Sequence, residues 1–318
     1  MRFIDMHCDT FWLLMQNQDA GLKENEYCVD LQKMKKSGCM AEFFANFIYM
    51  DQFSGEHAWD EGYQHALEMI ENGKRSISDC EGTISIAHSY DDIILNAQND
   101  KISAILTLEE GGVIHGKMDR IDELFQQGTR LITLTWNYEN CMGYPNSRDC
   151  DTMKKGLKPF GLDAVEYMNE KGMLVDVSHL SDGGFWDVVS HSKKPFVASH
   201  SNARELCDHP RNLSDEMIKA LAERGGVCGL NFYPYFLKHD GIASSRDIAE
   251  HAWHIYQVGG EDVLAIGTDF DGFDEGQLDV VHIGEMNIVC EALKRRGFTD
   301  RQLDKIGYNN ILRVIKEQ

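Results

Sequence analysis

Four side chains of metal-ligand type follow apolar runs of the sequence. His7 and Asp9 are two residues apart, so on an extended chain both side chains point to the same face. His179 follows the run LVDVS, and His200 follows the run FVAS. A lone histidine in such a place is more often a satisfied core residue, but several that converge favour ligation. Together they indicate a metal site, for which zinc suits best and manganese, cobalt and iron remain alternatives.

A fifth candidate ligand, Glu110, precedes the pair Gly111–Gly112, which permits a tight turn close to a bound ligand. Its carboxylate has two oxygens and can bridge two cations. We therefore expect two divalent metal ions, Zn²⁺ first among them, with Glu110 at the centre of the site. Glu109 faces the opposite way on an extended strand, so we expect it to point away from the metal ions.

Asp269 comes shortly after the apolar run VLAIG and is the candidate for proton transfer. Two cations held a few ångströms apart lower the pKa of a bridging water and so supply hydroxide for attack on a carbonyl. Asp269 would accept the proton of that water and hand it to the leaving nitrogen. A loop cap is the alternative role for the segment Asp-Phe-Asp-Gly, and Asp271 suits that role better.

A recurring unit of apolar run, turn and amphipathic stretch must position these side chains. Eight such alternations predict an α/β fold, a (β/α)8 barrel in a single domain spanning residues 1–318, with the metal site at the C-terminal ends of the strands. A doubly wound open sheet is the competing fold, but no GxGxxG follows the first run. The second run could also be helical. The predicted strands are Arg2–Met6, Met40–Met50, Ile102–Leu108, Arg130–Thr135, Met173–Val177, Phe196–Ser199, Gly226–Phe232 and Val263–Gly267.

The composition excludes several other classes of protein. Hydrophobic residues make up 42% of the 318 residues, which argues against disorder and against a small disulfide scaffold. The net charge of -21 disfavours binding to nucleic acid or to a membrane surface, and no run is long enough to span a bilayer. Nine cysteines without a CxxC motif indicate reduced thiols in a cytoplasmic protein, with a Cys141–Cys150 bridge as the alternative.

Eight short motifs, in order along nearly the whole chain, resemble those of the renal (membrane) dipeptidase family of metallopeptidases, among the amidohydrolase-like barrels. The resemblance implies that His7 and Asp9 bind one metal ion, that His179 and His200 bind the other, and that Glu110 bridges them. It also implies that Arg211 grips the substrate carboxylate and that Asp269 is the acid/base. The motifs are DMHCDT, LEEGG, LITLTWN, LVDVSHLS, FVASHSNAREL, PRNLSD, LNFY and IGTDFDG.

One position departs from the family pattern. The family motif in the fourth predicted strand often ends TLTH, and that histidine contacts the substrate carbonyl. Here Trp136 stands at that position, followed by Asn137. An indole has a single N–H donor and cannot accept a proton, so oxyanion assistance and the usual substrate range are both altered. We expect Trp136, Asn137 and Tyr233 to line the substrate pocket, and the long segment 137–160 to form a lid.

The resulting prediction is a cytoplasmic metallodipeptidase, a hydrolase that cleaves dipeptides to free amino acids. One alternative is another amide or ester hydrolase on the same scaffold, acting on N-acyl amino acids or lactones, because a barrel and its metals do not fix the substrate. A non-catalytic ligand-binding barrel is the second alternative. The expected partner is a small peptide substrate, and the resemblance also implies a homodimer.

Overall fold

The structure, a computed structural model, describes residues 1–17 and 19–318. It contains eight parallel strands that close into a barrel: β1 (Phe3–Cys8), β2 (Cys39–Phe47), β4 (Ile102–Glu109), β5 (Thr129–Thr133), β6 (Leu174–Asp176), β7 (Val197–Ser201), β8 (Val227–Leu230) and β9 (Leu264–Ile266). Each pairs with its neighbours in the order β2-β1-β9-β8-β7-β6-β5-β4, and β4 pairs back with β2 to complete the ring. The predicted (β/α)8 barrel is therefore confirmed.

Each of the eight predicted runs overlaps a barrel strand, and the run Met40–Met50 is mostly strand rather than helix. One short strand was not predicted: β3 (Ile84–Ile86) pairs with the first residues of β4. β3 pairs with the same edge of β4 as β5 does, but β5 pairs with later residues of β4. β3 therefore lies outside the closed ring.

Alternate residues of the barrel strands belong to two separate apolar cores. Ile105 of β4 packs in one cluster with residues of strands all around the ring, including Ile4, Leu131 and Val197, which places this cluster inside the barrel. Leu106 and its even-numbered neighbours in β4 pack instead with the surrounding helices. Because both faces are apolar, the strands are nearly continuous in apolar residues, as expected for a covered parallel sheet.

Fourteen α-helices connect and cover the strands within the described residues. Glycines stand at the ends of three of them. Gly172 caps α7 in the left-handed conformation, and Gly128 and Gly225 follow α5 and α9 with positive φ. The helices are α1 (Thr10–Gln16), α2 (Leu31–Ser37), α3 (Ala58–Ser78), α4 (Tyr90–Gln98), α5 (Met118–Gln126), α6 (Cys150–Met153), α7 (Pro159–Lys171), α8 (Asp182–His191), α9 (Asp215–Glu223), α10 (Pro234–Leu237), α11 (Ser245–Gly259), α12 (Met286–Arg296), α13 (Asp300–Asp304) and α14 (Asn310–Lys316).

Candidate active site

Two groups of ligand-type side chains meet at the carboxylate of Glu109, the last residue of β4. One carboxylate oxygen, Oε2, lies 3.4 Å from Nε2 of His7, which in turn is 3.4 Å from Oδ2 of Asp9. The other oxygen, Oε1, lies 3.2 Å from Nε2 of His179 and 3.6 Å from Nε2 of His200. Glu109 therefore presents one oxygen to each group, which is the arrangement of a carboxylate that bridges two cations.

The spacing of these atoms fits metal ions with short bonds to nitrogen and oxygen. Tetrahedral ligands at zinc bond lengths lie about 3.3 Å from one another. The ring nitrogens of His7, together with Oδ1 of Asp9 and Oε1 of Glu109, are buried without a hydrogen-bond partner. Buried polar atoms are rarely left unpaired, so this donor set fits a cation that would satisfy them.

The charges at the site also favour cations. Burial lowers the pKa of His179 and of His200 well below the usual range, so both rings are neutral, as metal ligands must be. Burial also disfavours the charged form of His7, but the negative charges of Glu109 and Asp9 outweigh it and raise its pKa well above normal. The pocket between these carboxylates thus attracts positive charge.

Glu110 does not lie among these ligands, which corrects the expectation that it bridges the metals. Its carboxylate accepts hydrogen bonds from the backbone N–H of Gly112 at 2.8 Å and of Trp136 at 3.1 Å, and from the amide of Asn140. Glu110 has left the strand with a φ of 88°, which turns its side chain toward the loop after β5. Glu109, expected to point away, still belongs to β4 and contacts the histidines instead.

His200 is held from behind by a polar chain inside the barrel. Ser199 donates its hydroxyl hydrogen to Asp176 over 2.6 Å, so its oxygen accepts the N–H at Nδ1 of His200, 2.7 Å away. Asp176 also accepts hydrogen bonds from Thr133 and from the backbone of Ser178 and Ser199. This chain fixes the tautomer in which Nε2 of His200 carries the free electron pair.

His179 has a comparable support. Its Nδ1 lies 3.1 Å from Oδ1 of Asn137, which can only accept, so Nε2 is left free to bind a metal. Its backbone has a φ of 65°, and its carbonyl accepts a hydrogen bond from the backbone N–H of Asn146 at 2.7 Å. The segment 137–160, expected to form a lid, is therefore attached to a metal-ligand residue.

Asp269 follows β9 and lies at the first group of ligands, with Oδ1 3.8 Å from Nε2 of His7. Burial raises its pKa to about 6, so it can hold a proton or release one near neutral pH. Asn231 donates a hydrogen bond to Oδ2 at 2.8 Å and fixes the carboxylate. Asp271 accepts hydrogen bonds from Thr10 and from the backbone of Cys28, which is the structural role expected for it.

Arg211 contacts the backbone of His200 and is almost completely buried. One guanidinium nitrogen donates to the carbonyl of His200 at 3.1 Å, and the group lies 5.2 Å from the ring centre of Phe236. Its Nε is buried without a hydrogen-bond partner. The guanidinium therefore retains donor capacity for an anionic group that enters the site.

A pocket of about 360 Å³ opens above the ligands and is lined by Trp136, Asn137 and Tyr233, the three residues expected there. That volume is sufficient for a small peptide. A second pocket of about 410 Å³ is lined by Phe43, Ile105 and Leu174 of the inner barrel core. None of the potential metal-ligand groups found in the described residues lies there, so the site is in the first pocket.

Several residues of the site were not found from the sequence. Glu109 could have been, because the polar residues of β4 are Ser103, Thr107 and Glu109, all on one face of the strand. Asp176 and Asn231 stand in the motifs LVDVSHLS and LNFY, but nothing in the residue pattern gives either of them a role. Among the ten further histidines, His251 is buried and hydrogen-bonded to the carbonyl of Leu237.

Two further expectations concern a disulfide bridge and a membrane-spanning segment. All nine cysteines are free, so the alternative Cys141–Cys150 bridge is absent. Within the described residues, no helix is both long enough and apolar enough to cross a bilayer.

Comparisons with known proteins place the chain in a family. Residues 1–318 match the family model described as membrane dipeptidase (peptidase family M19). A protein of Klebsiella pneumoniae encoded in the pqqA 5′ region is 32% identical over 76% of this chain and 92% of its own. An uncharacterized dipeptidase of Schizosaccharomyces pombe is 29% identical over 99% of this chain and 80% of its own.

A solved structure has the same fold. It is a metallopeptidase from Rhodobacter sphaeroides bound to a phosphinate mimic of the dipeptide L-Ala-D-Ala, with a TM-score of 0.90 and 22% identity over 100% of this chain and 99% of that one. The match of the whole chain confirms the resemblance drawn from the eight motifs. The chain therefore belongs to the membrane dipeptidase family, peptidase family M19, and is a metallodipeptidase of the hydrolase class.

Proposed function

We propose that this site hydrolyses dipeptides with two divalent cations, zinc in preference, bridged by Glu109. His7 and Asp9 would hold one cation, and His179 and His200 the other. The observation that carries the proposal is the placement of the two Glu109 oxygens, 3.4 Å from His7 and 3.2 Å from His179. Mixed imidazole and carboxylate ligands suit zinc.

When bound, such cations polarise the scissile carbonyl and lower the pKa of a water molecule at the site. Asp269 takes up the proton that this water loses and delivers it to the nitrogen of the leaving amino acid. Its pKa of about 6 allows both steps near neutral pH. Asn231 keeps the carboxylate oriented during the transfer through its 2.8 Å hydrogen bond.

Arg211 binds the free carboxylate of the substrate, and this contact selects dipeptides over longer chains. Its buried position leaves no water to compete for the guanidinium, which strengthens a charge-assisted hydrogen bond. The name of the Schizosaccharomyces pombe relative and the dipeptide mimic bound by the Rhodobacter sphaeroides structure both support a dipeptide as the substrate.

The experiment that tests this proposal measures both the metal content of the protein and its range of substrates. Purified protein is analysed for bound metal and assayed for amino-acid release from L,L and L,D dipeptides, with N-acyl amino acids and lactones as the alternative substrates. We expect two metal ions per chain and turnover confined to dipeptides. If His179→Ala loses both the metal and the activity, and the exposed control His57→Ala loses neither, then metal and activity belong to the site. Metal-loaded protein without dipeptide turnover would refute the proposal.

We also propose that the chain works in the cytoplasm as a homodimer. The nine free cysteines support a reducing compartment. Mass measurement of the native protein in solution tests the dimer, and a monomeric mass at working concentration would contradict it.

A further inference from the structure

The pocket above the metal ligands has an aromatic wall made by Trp12, Phe47, Tyr49 and Trp136. The indole of Trp136 is at its centre, with ring centres 4.9 Å from Phe47 and 5.9 Å from Tyr49. Trp12 extends the wall, 5.9 Å from Phe47. Trp136 also lies beside the candidate ligands, with its ring centre 6.1 Å from that of His179. The wall therefore begins beside the reacting centre and extends outward.

This wall retains apolar surface that none of the described residues covers. Tyr49 is 38% exposed, and Trp12 and Trp136 are partly exposed, although each could pack against its neighbours. Exposed aromatic surface that lines a concave pocket is typical of ligand contact rather than of folding alone. A flat apolar surface of this kind contacts a large apolar side chain over a wide area and a methyl group over a small one. The large side chain therefore contributes more to the binding free energy.

The position of Arg211 decides which residue of a dipeptide would meet the wall. Arg211 follows β7 and lies against Phe236, which follows β8. The aromatic wall comes instead from the ends of β1, β2 and β5, away from that part of the ring. A dipeptide whose carboxylate contacts Arg211 therefore has its N-terminal residue on the side of the wall.

We infer that the aromatic wall selects dipeptides with a large apolar or aromatic N-terminal side chain, and that Trp136 is the main determinant of this preference. The inference rests on the proposed function, since it takes the substrate orientation from Arg211. It also explains the departure at this position, because the indole replaces a polar contact of the family with apolar contact area.

The test measures kcat/KM of the metal-loaded protein for Phe-Ala, Ala-Phe and Ala-Ala. We expect Phe-Ala to exceed Ala-Ala by about tenfold or more, and Ala-Phe to gain much less. Trp136→Ala should lower the ratio of Phe-Ala to Ala-Ala by about tenfold. Tyr49→Ala, at a position that is 38% exposed, should lower the same ratio by a smaller factor.

Trp186→Ala is the matched control, because Trp186 is 41% exposed on α8 and does not line the pocket. Its ratio should equal that of the unmodified protein. Turnover of Ala-Ala or Ala-Phe as fast as Phe-Ala would overturn the inference and leave the proposed function standing. Failure to cleave any of the three dipeptides would refute the proposed function itself.

Discussion

Glu109 and Glu110 are consecutive in the chain, but their carboxylates contact separate groups of residues. Oε1 of Glu109 lies 3.2 Å from Nε2 of His179, among the candidate metal ligands. Oε2 of Glu110 accepts a hydrogen bond from the backbone of Trp136 at 3.1 Å. One carboxylate is therefore available to cations, while the other fastens the loop after β5 to the end of β4.

Glu109→Gln and Glu110→Gln should consequently have different effects. Glu109→Gln removes the bridging charge, so we expect loss of bound metal and a fall in activity of at least about a hundredfold. Glu110→Gln places an amide among three hydrogen-bond donors, which should cost about 1–3 kcal/mol of stability while metal still binds. Metal analysis and thermal unfolding of both variants check this pair. The reverse pattern would restore Glu110 as the bridge.

Ser199→Ala should weaken metal binding although Ser199 is not a ligand. It removes the acceptor for Nδ1 of His200 and the link to Asp176, so the ring loses its fixed tautomer. We expect metal affinity to fall about 10- to 100-fold, measured by competition with a chelator. Ser190→Ala on the exposed face of α8 is the control. Equal affinity in the two variants would show that the polar chain does not position His200.

Arg211→Ala should mainly weaken substrate binding. The guanidinium with its unpartnered Nε provides charge-assisted hydrogen bonds to a carboxylate, so KM for a dipeptide should rise about tenfold or more. A dipeptide amide lacks that carboxylate and should be affected much less. Steady-state kinetics with both substrates, and with the exposed position Arg246→Ala on α11 as a control, separate the two effects. An unchanged KM for the dipeptide would exclude the proposed contact.

Glu42→Gln should change how stability depends on pH. Glu42 is fully buried on β2, and burial, reinforced by the charge of Asp5, raises its pKa well above the ordinary value of 4.5. The folded chain therefore keeps a proton that the unfolded chain releases. The resulting contribution to stability is complete below pH 4.5 and declines as pH rises, by up to about 1.4 kcal/mol per pH unit.

Glutamine at this position does not titrate, so the variant should gain stability relative to the unmodified protein between pH 5 and about pH 8. Melting temperatures across that range, with the metal content held constant, measure the gain. Glu170→Gln, which replaces an exposed carboxylate, should show a constant difference. A constant difference for Glu42→Gln as well would mean that Glu42 is ionised in the folded state.

The sequence allowed the barrel to be predicted because its strands are covered on both faces, and runs such as those around Val175 and Ala265 are apolar throughout. It also indicated that the side chains of His7, Asp9, His179 and His200 would lie close together, since a closed barrel brings all strand ends to one mouth. Glu109 was missed because the sequence does not show at which of the two consecutive glutamates the strand ends. A shift of one residue decides which of the two side chains stays on the strand. Asn137 was expected to contact substrate, but its hydrogen bond to His179 was not predicted. That contact depends on packing between segments that are distant in the sequence, which a local sequence pattern does not show.

The left-handed backbone of Glu110, His179 and Asp269 has a consequence for mutagenesis of the site. A non-glycine residue in this conformation carries about 1 kcal/mol or more of strain, which alanine retains and glycine relieves. An alanine scan of these positions therefore removes the side chain but leaves the backbone cost in place. Glycine replacements at these positions remove the side chain and the strain together, so the glycine variants should be more stable than the alanine variants. The difference in stability between the two sets measures how much stability the chain gives up to hold its functional groups in position.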